Sequence, residues 1–524
     1  MHGFVPFPVE RADAYRTAGY WQDRPLSSLL DDAAARWPDR KAVIDADATL
    51  TYAQLDAAAD RAAAGLHRLG VGAGDRVLLQ LPNSCAFAVT LFGLLRVSAI
   101  PVLCLPGHRA AEIGHLAAVS DAVGIVIPDA TAGFDYPAMA AEVGLRRIII
   151  DDTTDGPAAP RFTPDPATPA VLLVSGGTTG LPKLIPRTHN DYVYNATASA
   201  ALCELTSDDV YLVALPAAHN FPLACPGLLG AMSVGAATVF GADPSPETAF
   251  ATIARHRVTV TALVPTLATL WAQACDWEPQ KPTTLRLLQV GGAKLAAGDA
   301  RRIREALTPG LQQVFGMAEG LLCYTRPGDA AELLDCTQGR PLCADDEVRV
   351  VDEDGAEAPE GELLVRGPYT INGYYGAFGA PADNERSFSP DGFYRSGDRV
   401  RRLADGYLEV TGRIKDVIVR GGENIAAEEL ETHLLRHPAI RSAAAVGVAD
   451  QYLGEKVCAA VVFNGAPLTL TELNRHLDAC GAATHVRVDQ LVPLPALPTT
   501  AVGKVDKKAI VRQVSNAVQP TSAT

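Results

Sequence analysis

The sequence lacks the signatures of three large classes of protein. Its ten cysteines are scattered with no Cys-x-x-Cys pair, which fits a reducing compartment and argues against a zinc site or a disulfide framework. Its net charge is −15, so a nucleic acid is not expected as the main partner. No apolar run approaches the roughly 20 residues of a membrane span, and no basic region followed by an apolar stretch marks a signal peptide. A soluble, cytoplasmic protein without a membrane partner is expected.

What the sequence does contain is a long alternation of short β-rich runs and longer helical patterns. At 524 residues the chain is too long for one hydrophobic core, so two or more domains are expected. Between about residues 40 and 300, helical stretches such as 52–69 and 84–97 separate apolar runs bounded by Pro, Gly or Asp. This alternation predicts an α/β fold of parallel sheets covered by helices. The predicted strands are 76–81, 100–105, 124–128, 147–151, 171–174, 210–215, 236–240, 258–264 and 285–290.

The pattern changes after about residue 340. Short strands between Gly and Asp turns predict a small antiparallel barrel or sheet, and a compact α+β unit follows Gly412-Arg413. We therefore divide the chain into predicted domains 1–413 and 414–524. The predicted late elements are strands 347–351, 362–366, 407–411, 442–448 and 456–463, a hairpin near 416–424, helices 426–437 and 470–479, and a tail around 501–508 that leads into a helix.

The most informative segment is the loop 175–183, with the sequence SGGTTGLPK, directly after the apolar run 171–174. Its three glycines allow a tight turn and close approach to a ligand, and its threonines and lysine supply hydroxyls and a positive charge. Such a loop after a buried strand suits the phosphates of a nucleotide. It is not a Walker A loop, because Pro182 separates the last glycine from Lys183 and no Gly-Lys-Ser/Thr follows. The alternative is a flexible linker rich in small residues.

Four further motifs follow in order: QVFGMAEG at 313–320, YRSGD at 394–398, GRIKD with RGGENI over 412–425, and AVGKVDKK at 501–508. Together with the loop 175–183, they resemble the core motifs of the adenylate-forming superfamily, which contains acyl-CoA ligases, adenylation domains and firefly luciferase. The resemblance covers about residues 25–515. Segments 175–191, 216–220 and 289–294 are similar to a narrower branch, the stand-alone aryl-acid AMP ligases of siderophore and related nonribosomal assembly lines.

The resemblance implies both a fold and a reaction. The fold is a large N-terminal domain of parallel α/β sheets with a small β-barrel-like subdomain, followed by a small mobile α+β domain. In the reaction, ATP and an aryl carboxylate give an aryl adenylate and pyrophosphate, with Mg²⁺ as the metal. The acyl group then passes to the phosphopantetheine thiol of an aryl carrier protein.

The resemblance also implies the roles of individual side chains. Glu319 would help bind Mg²⁺, which stabilises pyrophosphate as it leaves, and Asp398 would accept hydrogen bonds from both ribose hydroxyls. Lys504 would reach the aryl carboxylate and the α-phosphate. Lys415 and Asp416 would form the hinge of the mobile domain. The implied nucleotide-binding residues are Ser175, Gly176, Gly177, Thr178, Thr179, Gly180, Lys183, Gly316, Met317, Asp398 and Arg413.

The acid pocket is the most specific expectation. In this branch Asn220 contacts the hydroxyl ortho to the carboxylate, and His219 would gate access of the carboxylate or the thiol. Cys225 and Leu322 stand where relatives that take 2,3-dihydroxybenzoate have serine and valine. Both residues shrink and dry the space for a 3-hydroxyl, so salicylate is predicted, with 2,3-dihydroxybenzoate and 3-hydroxypicolinate left open. Phe221 would flank the ring, and the walls would be Gly292, Ala293, Val314 and Gly316.

Two other functions remain open at this stage. An aryl-CoA ligase would share the first step and use CoA as the acceptor. A catalytically inactive homologue would serve as a binding or scaffold protein, although Lys183, Glu319, Asp398 and Lys504 are all present. Thioester formation with CoA or with a carrier protein distinguishes an aryl-CoA ligase from an aryl-acid AMP ligase. ATP–pyrophosphate exchange tests whether the protein is catalytically inactive.

Overall fold

The computed structural model describes residues 2–128, 134–148, 162–175, 182–376, 381–420, 423–450, 453–480, 482, 486–500 and 503–517. The chain divides into two compact units. The first comprises Met1–Val348 and Leu364–Arg395, and the second comprises Arg349–Leu363 and Ser396–Thr524. The domain boundary predicted between residues 413 and 414 stays a prediction.

Helices and strands alternate along the first unit, as the sequence pattern predicts. The predicted helix 52–69 is observed as Tyr52–Arg68. It begins at Thr51, whose hydroxyl accepts a hydrogen bond from the Gln54 backbone N–H while the Gln54 side chain accepts one from the Thr51 N–H. The helices are α1 (Val9–Thr17), α2 (Ser28–Arg36), α3 (Tyr52–Arg68), α4 (Cys85–Arg96), α5 (Ala110–Ser120), α6 (Tyr136–Glu142), α7 (His189–Leu202), α8 (Asn220–Ala224), α9 (Gly227–Ser233), α10 (Pro246–His256), α11 (Pro265–Ala274), α12 (Ala297–Ala306), α13 (Ala331–Cys336), α14 (Pro381–Ser387), α15 (Ala427–Leu435), α16 (Leu470–Ala479) and α17 (Lys507–Ala517).

The strands that the structure describes form four sheets. In chain order they are β1 (Lys41–Ile44), β2 (Thr49–Thr51), β3 (Arg76–Leu79), β4 (Ile100–Leu103), β5 (Gly124–Val126), β6 (Pro169–Val174), β7 (Leu184–Thr188), β8 (Val210–Val213), β9 (Ala237–Phe240), β10 (Val260–Leu263), β11 (Leu287–Gly291), β12 (Leu311–Met317), β13 (Gly320–Tyr324), β14 (Arg340–Pro341), β15 (Glu347–Val351), β16 (Glu360–Arg366), β17 (Tyr394–Arg402), β18 (Leu408–Arg413), β19 (Val417–Arg420), β20 (Glu423–Ala426), β21 (Ile440–Asp450), β22 (Gly454–Phe463) and β23 (Gln490–Pro493). Of the predicted strand 147–151, the described part contributes a single bridge between Ile125 and Arg147.

Two sheets carry the first unit. Among the described residues, nine strands pair in the order β14-β13-β12-β11-β10-β8-β9-β1-β2, and five pair in the order β5-β3-β4-β6-β7. The interior pairs are parallel, as predicted. The pairs β1–β2, β6–β7, β12–β13 and β13–β14 are antiparallel, which the pattern did not predict. The connections of β1 to β2, β6 to β7 and β12 to β13 are too short for the crossover that parallel pairing requires.

Buried side chains of the helices cover the sheets of this unit. Trp271 of α11 and Phe250 of α10 are fully buried, with their rings edge to face at 5.5 Å, beside the apolar residues of β8, β10 and β11. Ile113 and Leu116 of α5 pack with β4 and β5 in a separate core. No helix within the described ranges combines the length and apolar character needed to cross a membrane.

Later in the chain, β15 to β18 form a four-stranded sheet in chain order, where the sequence predicted a small barrel or sheet. Five strands then pair in the order β20-β19-β22-β21, with β23 beside β22. The predicted helix 470–479 is observed with those bounds as α16. Leu430 of α15 and Leu473 of α16 pack on Val457, Ala459 and Val461 of β22, which gives this sheet its own core.

Candidate active site

A hairpin anchors both ends of the glycine-rich loop. Strands β6 and β7 pair antiparallel, with Val174 opposite Leu184. The Ser175 backbone N–H donates to the Lys183 carbonyl at 2.9 Å, and the Lys183 N–H donates to the Ser175 hydroxyl at 2.9 Å. The predicted phosphate-binding residues Gly176, Gly177, Thr178, Thr179 and Gly180 lie outside the described residues, so their roles stay predictions.

Glu319 occupies the turn of a second hairpin, between β12 and β13. Met317 pairs with Gly320 across this turn, and Glu319 is only 9% exposed. Its Oε1 accepts a hydrogen bond of 2.8 Å from the Tyr374 hydroxyl, and the Lys183 Nζ lies 4.5 Å from the centre of the Tyr374 ring. The structure therefore brings the predicted phosphate ligand Lys183 and the predicted metal ligand Glu319 to one tyrosine. The predicted nucleotide contacts Gly316 and Met317 end β12 just before this turn.

Glu319 suits a magnesium ion held together with phosphates. Within the described residues, no group of three or more His, Cys, Asp or Glu could hold a metal ion by itself. Mg²⁺ is commonly bound by one or two carboxylates together with substrate phosphates, so a single glutamate is a sufficient protein contribution.

The predicted acid-binding residues lie on or next to α8, just after β11, and on the β12–β13 hairpin. Phe221, Cys225, Val314 and Leu322 are all buried. A Cβ at Gly291 would lie 3.2 Å from the Phe221 ring and 2.5 Å from the Val314 carbonyl oxygen, so only glycine permits this packing. Leu322 pairs with Gly316 across the β12–β13 hairpin. Gly292 and Ala293 follow β11 and are exposed, and their contact with an acid stays a prediction.

A buried hydrogen-bond network fixes Asn220. Its Oδ1 accepts from the Tyr192 hydroxyl at 2.9 Å, and its Nδ2 donates to the Cys225 Sγ at 3.5 Å. Burial raises the pKa of Cys225 to about 12, which keeps the thiol neutral. The structure therefore places an oriented amide beside an uncharged sulfur atom.

His219 lies at the beginning of a short helix. It is the N-cap of α8, and its Nδ1 accepts from the Phe221 backbone N–H at 3.2 Å. In the neutral imidazole this bond places the ring proton on Nε2. The predicted strand 210–215 ends earlier, at Val213, and α8 begins at Asn220. His219 therefore precedes the first residue of the helix. A gating role for His219 stays a prediction.

Arg187 contacts both the turn that carries Glu319 and the tyrosine that binds Asn220. The sequence reasoning gave it no role. It is fully buried, with Nε donating to Asp191 at 2.8 Å and Nη1 donating to the Ala318 carbonyl, next to Glu319, at 3.1 Å. Its guanidinium carbon lies 4.7 Å from the centre of the Tyr192 ring. One signal in the sequence could have identified it, an arginine within an apolar strand. Arginine is almost never fully buried there unless it pairs with an opposite charge.

In the second unit, the predicted ribose ligand is paired with a cation. Asp398 lies opposite Arg413 in the antiparallel pair β17–β18, and the Arg413 Nε donates to its carboxylate at 2.8 Å. Burial raises the pKa of Asp398, while the charges of Arg413 and Lys504 act in the opposite direction. The charges of two predicted residues, Arg413 and Lys504, thus both act on the carboxylate of a third, Asp398.

Lys504 and the predicted hinge are held by short local structures. The Thr500 N–H donates to the Lys504 carbonyl at 2.7 Å, which forms a tight turn through Gly503 at φ +78°. Asp416 lies in a short helical turn after β18 and accepts from Lys507 at 3.5 Å. The Lys415 side chain lies outside the described residues. Hinge motion at Lys415 and Asp416 stays a prediction.

Comparisons with known proteins match nearly the whole chain. A family model described as AMP-binding enzyme matches residues 30–375, and one for the AMP-binding enzyme C-terminal domain matches residues 429–504. The salicyl-AMP ligase/salicyl-S-ArCP synthetase of Mycobacterium tuberculosis is 65% identical over 100% of this chain and 96% of its own. The 2,3-dihydroxybenzoate-AMP ligase of Bacillus subtilis is 44% identical over 98% of each chain. The apo structure of Mycobacterium smegmatis MbtA superposes with a TM-score of 0.75 at 65% identity, covering 98% of this chain and 99% of that one.

Proposed function

Because the chain belongs to the family of AMP-binding enzymes, we propose that it is an aryl-acid AMP ligase that activates salicylate with ATP. The products of the first step are salicyl-AMP and pyrophosphate, and the acyl group then passes to the phosphopantetheine thiol of an aryl carrier protein. The observation that carries the proposal is the 65% identity, over the whole chain, to a salicyl-AMP ligase.

The first step joins two anions. An oxygen of the aryl carboxylate attacks the α-phosphorus of ATP, and the bond from that phosphorus to the pyrophosphate oxygen breaks. The protein must therefore neutralise charge and hold the reacting atoms in line. Lys183 supplies positive charge to the phosphates, and Lys504 supplies it to the carboxylate and the α-phosphate. When bound, Mg²⁺ would be held by Glu319 and would neutralise charge on the phosphate oxygens.

The second step replaces the mixed anhydride of the acid and AMP by a thioester. The sulfur of the phosphopantetheine thiol attacks the acyl carbon and releases its proton to solvent, and the bond from that carbon to the AMP oxygen breaks, so AMP leaves with the electron pair. In both steps Asp398 would hold the ribose hydroxyls, since a carboxylate accepts two hydrogen bonds at once. Arg413 fixes that carboxylate in place.

The pocket favours salicylate over its 3-hydroxy analogue. Asn220, held by Tyr192, offers its amide to the ortho-hydroxyl of the acid. Cys225 and Leu322 line the buried side where a 3-hydroxyl would need a polar partner, and a neutral thiol is a weak one. An apolar pocket rejects an added hydroxyl by only about 10²-fold, so 2,3-dihydroxybenzoate is expected as a slow substrate.

ATP–pyrophosphate exchange tests the proposal directly. We expect salicylate to give the highest kcat/KM and 2,3-dihydroxybenzoate to give a kcat/KM lower by up to about 10²-fold. The same assay includes 3-hydroxypicolinate and benzoate. Absence of exchange with every ortho-hydroxy acid would refute the activity. Offering the preformed adenylate to CoA and to a loaded carrier protein then identifies the acceptor, and thioester formation with CoA alone would make the protein an aryl-CoA ligase.

Exchanging two pocket residues should change the preferred acid. We expect Cys225→Ser combined with Leu322→Val to raise the ratio of kcat/KM for 2,3-dihydroxybenzoate to that for salicylate by about 10-fold, because a serine hydroxyl is the better partner and valine frees one methylene of volume. Exchange kinetics with both acids measure this ratio. Cys275→Ser, at a buried cysteine that ends α11, is the matched control and should leave the ratio unchanged. An unchanged ratio in the double variant would remove the basis for choosing salicylate.

A further inference from the structure

Tyr374 lies between two side chains that come from different hairpins. Its ring supports the Lys183 ammonium at 4.5 Å, and its hydroxyl donates to Glu319 at 2.8 Å. The side chain is buried, and so is the hydroxyl of Tyr394, which lies 3.2 Å from that of Tyr374. One aromatic residue therefore contacts both a predicted phosphate ligand and a predicted metal ligand.

The backbone around Tyr374 is tied to the same two hairpins. The Ile371 N–H donates to the Glu319 carbonyl at 2.8 Å, and the Tyr375 N–H donates to the Leu184 carbonyl at 2.8 Å. A Cβ at Gly320 would lie 2.5 Å from the Thr370 hydroxyl oxygen, so this segment packs directly on the turn that carries Glu319. The segment 370–375 thus contacts both hairpins through its backbone, and its Tyr374 side chain contacts both as well.

The hydrogen-bond directions follow from the chemistry of the groups. A carboxylate only accepts, so the single Tyr374 hydrogen points to Glu319, and Tyr394 donates to the Tyr374 oxygen. The Glu319 Oε1 is thereby occupied, while its Oε2 makes no hydrogen bond to any residue that the structure describes.

We propose that Tyr374 is a positioning residue that sets Lys183 and Glu319 as one unit, so that the phosphates and the Mg²⁺ ion are held in a fixed mutual geometry. The proposal rests on the proposed function. The hydroxyl orients Glu319 with Oε2 available to the ion, and the ring holds the ammonium towards the phosphates. Neither contact forms a bond to the substrate, so Tyr374 acts through its two neighbours.

The two contacts can be separated by substitution. Tyr374→Phe keeps the ring beside Lys183 and removes the hydroxyl, whereas Tyr374→Leu removes both. Isothermal titration calorimetry of the full chain with ATP, in EDTA and over a series of Mg²⁺ concentrations, gives a readout independent of catalysis. For Tyr374→Phe we expect the Mg²⁺ concentration at half-maximal enhancement of ATP binding to rise about 10-fold, with unchanged ATP affinity in EDTA. For Tyr374→Leu we expect ATP affinity in EDTA to fall about threefold as well.

A matched control and two contrary outcomes make the test decisive. Tyr52→Phe removes another buried hydroxyl, which donates to the Ala236 carbonyl at 2.6 Å, and should leave both quantities at wild-type values. Equal Mg²⁺ requirements in Tyr374→Phe and the wild type would overturn the proposal. So would an equal loss of ATP affinity with and without Mg²⁺, since that result would mean general damage to the fold. A wild-type chain that binds ATP with Mg²⁺ but exchanges pyrophosphate with no aryl acid would defeat the proposed function alone.

Discussion

Lys504→Ala is expected to reduce salicylate-dependent ATP–pyrophosphate exchange by about 10²- to 10³-fold, the cost of removing one preorganised charge from a transition state. The Lys504 backbone is held by Thr500, whose N–H donates to the Lys504 carbonyl and whose hydroxyl accepts from the Lys504 N–H. In its proposed role Lys504 supplies positive charge to the α-phosphate, so the variant would leave the developing charge there less compensated. Steady-state exchange at saturating ATP and acid measures the loss as a fall in kcat.

The second half-reaction is the internal control for this variant. Transfer from supplied salicyl-AMP to a carrier thiol needs no new bond to phosphorus, so we expect Lys504→Ala to retain most of it. Lys508→Ala is the matched control, because that lysine is exposed in the following helix and should leave both steps near wild type. An equal loss of adenylation and transfer in Lys504→Ala would contradict the assignment of Lys504 to the first step alone.

Arg187→Met should be the most destabilising single change at the site. It leaves the fully buried Asp191 carboxylate without its cation, and breaking such a buried pair costs about 3–5 kcal/mol. The Ala318 carbonyl also loses its donor. Urea denaturation and thermal melting of the purified chain measure the loss, and we expect ATP–pyrophosphate exchange to fall with it, because the Glu319 turn and the Asn220 pocket share this arginine.

A double variant identifies the cause of the loss. In Arg187→Met with Asp191→Asn the unpaired charge is removed, while the amide can still accept the hydrogen bonds from Thr188 that begin α7. We expect this variant to recover a large part of the lost stability. A double variant no more stable than Arg187→Met would show that the cost does not come from the uncompensated carboxylate.

The residues that sequence reasoning identified share a local signature. The loop around Lys183 and the turn around Glu319 combine glycines with a charge inside a few positions, and α16 is marked by apolar residues at helical spacing between clear boundaries. Such patterns depend on neighbours along the chain. They can therefore be recognised before any folding is considered.

The residues that sequence reasoning missed act through distant partners. Arg187 contacts Ala318 across 131 positions, Tyr374 contacts Glu319 across 55, and Tyr192 contacts Asn220 across 28. Each contact depends on an antiparallel hairpin or a helix register that periodicity alone does not give.

The guanidinium of Arg187 has a consequence for redesign of this enzyme. It rests on the ring that orients the amide of the acid pocket and also holds the peptide group beside Glu319. If the predicted roles of Asn220 and Glu319 hold, one side chain couples the choice of acid to the rate of the reaction. Variants of α7 made to admit bulkier acids are then expected to disturb the turn at 316–320 as well.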